Sequence, residues 1–150
     1  MTTPVSDVIA HKGGRVHATA PDATVRQAVH LMNEKRIGAL LVMHDEKPIG
    51  MFTERDVLVR VVDAGNDPET TLVHEVMSSR LVTIKPALSV EQTMKIMTEK
   101  RCRHLPVMEG GKLLGLVSIG DVTRWMVREH ESYIDNLLNY IHGGYPSGSP

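Results

Sequence analysis

Apolar residues at positions 25, 28, 29 and 32 fall at i, i+3, i+4 and i+7, the spacing of a helix with one buried face. Val90, Met94 and Met97 draw a similar stripe 65 residues later. Thr24-Val25-Arg26-Gln27 and Ser89-Val90-Glu91-Gln92 lead into these stripes with the Thr/Ser-x-x-Gln form of a capping box. Glu34-Lys35-Arg36 and Glu99-Lys100-Arg101 close them, their cations suiting the negative end of the helix dipole. The pattern then shifts to short apolar runs. Residues 39–43 and 49–53 flank His44-Asp45-Glu46-Lys47, and residues 104–108 and 113–118 flank Glu109-Gly110-Gly111-Lys112, so each pair predicts a hairpin. Pro106 lacks an amide proton, so its strand should be an edge or be bonded on one side only there. A short extended stretch is expected at 16–19, and further helices over 57–64 and from 122 onward. Each half reads β-α-β-β-α in about 55–60 residues, too little apolar area for a secure core alone, so the halves should pack together.

The two halves are one pattern written twice. A shift of 65 residues pairs Pro21 with Pro86, Gln27 with Gln92, Met32 with Met97, Gly50 with Gly115 and Asp56 with Asp121. The openings, Val5-Ser6-Asp7-Val8 and Val73-His74-Glu75-Val76, match after a three-residue slip, which points to a loop insertion at His11-Lys12-Gly13-Gly14. Repeat one is expected over 5–64, a linker over 65–72, repeat two over 73–130, a helical extension over 131–142 and a disordered tail over 143–150. The extension continues an apolar stripe through Met126, His130, Tyr133 or Ile134, Leu137 and Ile141. Both repeats already have their helices, so this one is expected to cover a second subunit.

Composition narrows the function classes. Lys and Arg number 17 against 18 Asp and Glu, a net charge of −1, which argues against a nucleic-acid or membrane-surface binder. A single cysteine, Cys102, can form no internal disulfide and favours a reducing compartment. The opening residues carry no secretory signal, and no apolar run is long enough to span a bilayer, so a cytoplasmic protein is expected. One Phe, one Trp and nine Met imply an aliphatic core with methionine filling irregular gaps. Gly110-Gly111-Lys112 lacks phosphate-loop spacing, and no Gly-x-Gly-x-x-Gly opens a helix. The eight histidines lack metal-ligand spacing, and no nucleophile stands beside a base; neither metal nor catalysis is expected.

Candidate chemistry lies where each hairpin meets its second helix. Gly50-Met51-Phe52-Thr53-Glu54-Arg55-Asp56 and Gly115-Leu116-Val117-Ser118-Ile119-Gly120-Asp121 share one form: Gly, two apolar residues, a hydroxyl, two variable positions, Asp. Asp beside a helix start is a common N-cap, which is the bland reading of Asp56 and Asp121. Two β-α-β-β-α units, each with this heptad ending its hairpin, resemble the CBS domain, whose tandem pair is called a Bateman module. The resemblance covers residues 5–130. Thr-Glu-Arg-Asp at 53–56, Arg103-His104-Leu105-Pro106-Val107 and the long last helix resemble stand-alone two-CBS proteins of bacteria and plants.

That resemblance implies a mixed α/β (α+β) fold with two pseudo-symmetric repeats forming one module, which pairs into a homodimer. It implies a non-catalytic regulator that senses energy or metabolites by binding an adenine nucleotide (AMP, ADP, ATP or NAD(H)) in clefts between the repeats. Asp56 and Asp121 would accept hydrogen bonds from ribose hydroxyls, charge-assisted contacts worth about 1.5–3 kcal/mol. Thr53 and Ser118, with Ile119 beside the latter, would meet the ribose or first phosphate, and the helix start that follows favours an anion. Arg103 and His104 would meet phosphates, with Arg55 and Arg124 as further candidates; Gly38 and Ala39 hold the matching places in repeat one. Backbone and aliphatic walls around Ala18-Thr19 and Val82-Thr83 would hold adenine. Because Arg103 and His104 share a repeat with Asp121, the cleft of the second heptad is expected to be better furnished for charge. The competing reading is a scaffold with vestigial clefts, regulating a partner protein through its last helix.

Overall fold

The computed structural model describes residues 3–13 and 15–143. Its elements are α1 (Val5–Lys12), β1 (Ala18–Thr19), α2 (Val25–Lys35), β2 (Ala39–His44) and β3 (Lys47–Thr53). A short α3 (Glu54–Asp56) continues into a π-helical stretch, Val57–Val62. Then come α4 (Val73–Val76), α5 (Val90–Lys100), β4 (His104–Glu109), β5 (Lys112–Ser118) and α6 (Ile119–Gly143). The fold is the expected mixture of helix and strand. Of the predicted tail, residues 144–150 lie outside the described residues.

Local chemistry starts and stops these elements. Gln27 and Thr24 close a reciprocal capping box on α2, each accepting from the other's amide at 2.9 and 3.1 Å, and Ser89 with Gln92 does the same on α5. Both helices end on an arginine in the left-handed region, Arg36 at φ 56° and Arg101 at φ 55°. The hairpin turns place Asp45 and Glu46, and Gly110 and Gly111, at positive φ, the geometry that matches the twist of paired strands.

β1 runs parallel to β2, which pairs antiparallel with β3; β4 and β5 form a separate antiparallel pair. Repeat two replaces β1 by a single parallel bridge, Ile84 to Val107. Pro106 explains the loss. Its counterpart, Leu41, donates its amide to the His17 carbonyl at 3.2 Å, and Pro106 has no amide to donate. On that side the strand keeps only its bonds to Ile84, whose amide donates to the Pro106 carbonyl at 3.0 Å and whose carbonyl accepts from the Met108 amide at 2.9 Å.

The repeats exchange their first helices. Val5, Val8 and Ile9 of α1 are buried with Leu105, Val107 and Val117 of repeat two. Val73 and Val76 of α4 are buried with Leu40, Val42 and Phe52 of repeat one. Backbone bonds fix both arms, Val5 to the Leu88 carbonyl at 2.7 Å and Val73 to the Ala23 carbonyl at 2.8 Å. A third cluster, around Ala39, Leu41 and Met51 with Leu113 and Leu116, joins the two hairpins. Gly50 and Gly115 serve these contacts. A Cβ on Gly50 would stand 2.6 Å from Met77 Sδ and 2.9 Å from the Ser78 carbonyl, and one on Gly115 would stand 2.9 Å from Ile9.

The three-residue slip is not a loop insertion. His11 and Lys12 belong to α1, which is capped by Gly13 at φ 94°. The extra residues lengthen α1 to eight residues where α4 has four. After Val76 the chain instead turns extended, and Ser78 bridges to Met51.

Candidate functional site

Each heptad is first of all a helix start. Thr53 is the N-cap of α3 and Asp56 its third residue. The Asp56 amide donates to Thr53 Oγ1 at 3.3 Å, while Asp56 Oδ2 accepts from the Thr53 amide at 2.9 Å. Ser118 and Asp121 repeat the exchange at 3.1 and 2.8 Å. The aspartates are therefore not N-caps, as the bland reading had it; the hydroxyl residues are. The Thr/Ser-x-x-Asp spacing is accounted for by capping in both repeats. A ligand role has to rest on what else surrounds the carboxylates.

Two clefts flank the joined hairpins, of about 410 and 320 Å³, within the range of small-molecule sites. The first contains Thr53, Arg55 and Asp56 from repeat one, and Val82, Arg103 and His104 from repeat two. The second contains Ser118, Asp121 and Arg124 from repeat two, and Gly38, Ala39 and Lys12 from the repeat-one sequence. Gly38 and His104 border both. Arg103 therefore lies in the cleft of Asp56, not in that of Asp121 as its place in the sequence suggested. The pseudo-twofold relation sets each heptad against the residues before the other repeat's hairpin.

Besides Ala18, which sits in β1, three predicted residues line neither cleft. Thr19 is tied into β1 opposite Val42, and Thr83 is exposed. Ile119 packs on the repeat-two core and donates its amide to the Arg103 carbonyl at 2.8 Å. The register explains the first two: Thr19 pairs with Val42 and Ile84 with Val107, so Thr83 matches Ala18 rather than Thr19. The chain reaches the clefts about two residues earlier, at Val16-His17 and Leu81-Val82.

Sequence reasoning missed Arg80 and Arg101 in the first cleft and assigned no role to Arg36 in the second. A signal was present. Arg36 and Arg101 are repeat equivalents, and the three-residue slip makes Lys12 the counterpart of Arg80. Four arginines face Glu54 and Asp56 in the first cleft; Lys12, Arg15, Arg36 and Arg124 surround Asp121 in the second. A chain of net charge −1 thus concentrates cations at both clefts, where they favour anions.

The two carboxylates differ in their partners. Asp56 is 5% exposed, and among the described residues its Oδ1 accepts only from the Ser78 hydroxyl, at 3.3 Å; its ion-pair partner, Arg60, approaches no closer than 3.9 Å. Asp121 holds Lys12 Nζ at 2.7 Å on Oδ2 and Arg124 Nη2 at 2.9 Å on Oδ1. Burial opposes ionisation of Asp121, but the hydrogen bonds from Lys12 and Ser118 outweigh it and hold the carboxyl below its usual 3.8. Burial lowers the His104 imidazole below its usual 6.5, against the opposing pull of Asp121. Burial raises the Cys102 thiol. Among the described residues, no three His, Cys, Asp or Glu side chains are grouped to hold a metal, and no helix is long and apolar enough to cross a membrane.

This arrangement is that of a CBS-domain pair, and the chain belongs to the CBS-domain family: the family model matches residues 2–63 and 73–128. The mitochondrial CBS domain-containing protein CBSX3 of Arabidopsis thaliana is 36% identical over 153 residues, covering 96% of this chain and 74% of its own. A solved CBS-domain structure superposes with a TM-score of 0.80 at 37% identity, over 85% of this chain and 99% of that one. A hexameric CBS-CP12 protein from bloom-forming cyanobacteria is similar at a TM-score of 0.72 and 34% identity, over 82% of this chain and 71% of that one. Proteins of this family are generally regulatory, acting as nucleotide sensors or scaffolds.

Proposed function

We propose that this chain is a non-catalytic regulatory module of the cytoplasm that binds an adenine nucleotide, AMP, ADP, ATP or NAD(H), in the clefts of Asp56 and Asp121. One observation carries the reading. Asp56 is buried, borders an open cleft, and among the described residues has no cation within hydrogen-bond distance, while four arginines stand around the same cleft. A buried carboxylate without a close cation calls for hydroxyl or amide donors, and arginines call for phosphate; a ribonucleotide supplies both needs. Val82 supports the adenine end, because Pro106 offers its carbonyl no amide proton.

Calorimetric titration with AMP, ATP and NADH tests this on the wild type and on Asp56→Asn. The substitution keeps the shape and the capping acceptor but removes the charge. Losing charge-assisted bonds of about 1.5–3 kcal/mol predicts a roughly 10- to 150-fold loss of affinity at that cleft. Unchanged affinity with intact folding would remove the role assigned to Asp56.

A second reading draws on α6 and the π-helical stretch. Leu58 and Val62 are 64% and 68% exposed, and Ile134 and Ile141 of α6 are 52% and 71% exposed. We infer a homodimer that covers these faces; in the scaffold version it also presents α6 to a regulated partner. Truncation after Val127 separates assembly from binding: the nucleotide reading expects dimers lost and affinity kept. No thermal shift with any adenylate up to millimolar concentration would favour the scaffold.

A further inference from the structure

We infer that Lys12 competes internally for the Asp121 carboxylate, so that the second cleft admits only a nucleoside that brings its own phosphate, while the first also admits the bare nucleoside. The inference rests on the nucleotide reading above and assigns the two clefts different ligand requirements. Lys12 Nζ is 2.7 Å from Asp121 Oδ2 and 2.9 Å from the Leu116 carbonyl, and Arg124 Nη2 is 2.9 Å from Oδ1. Each carboxylate oxygen therefore already accepts from a cation. A ribose diol would have to displace these two cations with neutral hydroxyl donors, which cannot replace the charge–charge attraction that is lost. A phosphate changes the balance. It offers the displaced ammonium a new anion beside Arg15 and Arg36, so Lys12 trades one partner for another instead of losing one.

The asymmetry is built into the backbone. In repeat one, the Met51 carbonyl accepts from the Ser78 amide at 2.9 Å, where the chain has left α4 and turned extended. Leu116 is the repeat equivalent of Met51, and its carbonyl accepts instead from the Lys12 ammonium. The extra turn of α1, closed by Gly13 at φ 94°, brings that ammonium there. Arg80, the counterpart of Lys12, borders the first cleft but makes no ion pair with Asp56, whose salt-bridge partner is Arg60 at 3.9 Å.

Calorimetric titration of the full chain with adenosine and with ATP tests the assignment in wild type, Lys12→Met and Lys12→Gln. We expect the wild type to bind adenosine at one site and ATP at two. Both variants should gain a second adenosine site, tightened at least about 10-fold, and Lys12→Arg should keep the wild-type pattern. Trp125, the one tryptophan, packs edge-on against His11 with centroids 5.6 Å apart, next to Lys12 in sequence. Its fluorescence should respond to ATP but not to adenosine in the wild type. Two equal adenosine sites in the wild type, an unaltered second site in both neutral variants, or an adenosine response equal to that of ATP overturns the role of Lys12 alone. Absence of binding by every nucleotide in every protein overturns the nucleotide reading and this inference with it.

Discussion

Gly50→Ala tests whether the exchange of first helices is held by close backbone approach. The new Cβ would lie 2.6 Å from Met77 Sδ and 2.9 Å from the Ser78 carbonyl. The thioether can rotate away, at a cost of about 0.5–1.5 kcal/mol for a strained rotamer. The carbonyl cannot move alone, because Ser78 and Met51 exchange two hydrogen bonds of 2.9 Å each. Opening the contact to ordinary separation needs a shift of about 0.5 Å, enough to weaken both bonds, each worth about 1 kcal/mol net. Alanine returns about 0.5 kcal/mol by restricting the unfolded chain. The net loss is about 1.5–3 kcal/mol, or roughly 3–12 °C in Tm for a chain of this size. Urea unfolding followed by Trp125 fluorescence and far-ultraviolet circular dichroism measures it. Gly115→Ala is the internal control: the three atoms nearest its new Cβ are all in the Ile9 side chain, so it should cost less. A Gly50→Ala protein within about 0.5 kcal/mol of wild type, or a larger loss from Gly115→Ala, would refute the reasoning. The same substitution should weaken nucleotide binding at the first cleft, because Ser78 carries the hydroxyl that holds Asp56.

Three further outcomes are expected. Glu46 sits at φ 63° in a turn whose counterpart uses glycine, so Glu46→Gly should stabilise the chain by about 0.5 kcal/mol in the same urea assay. Asp121 has its folded pKa held below 3.8, so the stability it contributes is present above that value and is lost as pH falls through the folded pKa; urea midpoints between about pH 2 and 5 should fall more steeply for wild type than for Asp121→Asn, and parallel curves would count against it. Ile134→Glu, on the exposed apolar face of α6, should convert dimer to monomer by light scattering without changing the Tm by more than about 2 °C at matched monomer concentration.

Local pattern carried most of the architecture. The stripe of 25, 28, 29 and 32, the capping boxes and the two hairpins are legible because each depends on neighbours within a few residues. The heptads were legible as a repeat, but their spacing pointed to capping and to chemistry alike, and only the partners of Asp56 and Asp121 separate the two. What was not legible is relational. Nothing around Arg103 says that it faces Asp56 instead of Asp121, because that depends on the pseudo-twofold packing of one repeat on the other. The apolar face of α1 likewise names no destination, since Val5 and Val8 suit either sheet. Lys12 read as loop because a three-residue slip can be placed in a loop or in a helix, and Gly13 and Gly14 suggested the loop.

The exchanged first helices also constrain how the chain can be made. Repeat one lacks Val73 and Val76, two of its buried valines, until residues beyond its own end have been synthesised. Its opening helix, meanwhile, packs on repeat two, and that core lacks Val117 until β5 is complete at Ser118. A ribosome-bound first repeat is therefore an unfinished object with an apolar helix left over. Folding from the N-terminus as a self-contained unit is the usual course for tandem domains, and it is closed to this chain. Its two repeats must reach the native state together, late in translation.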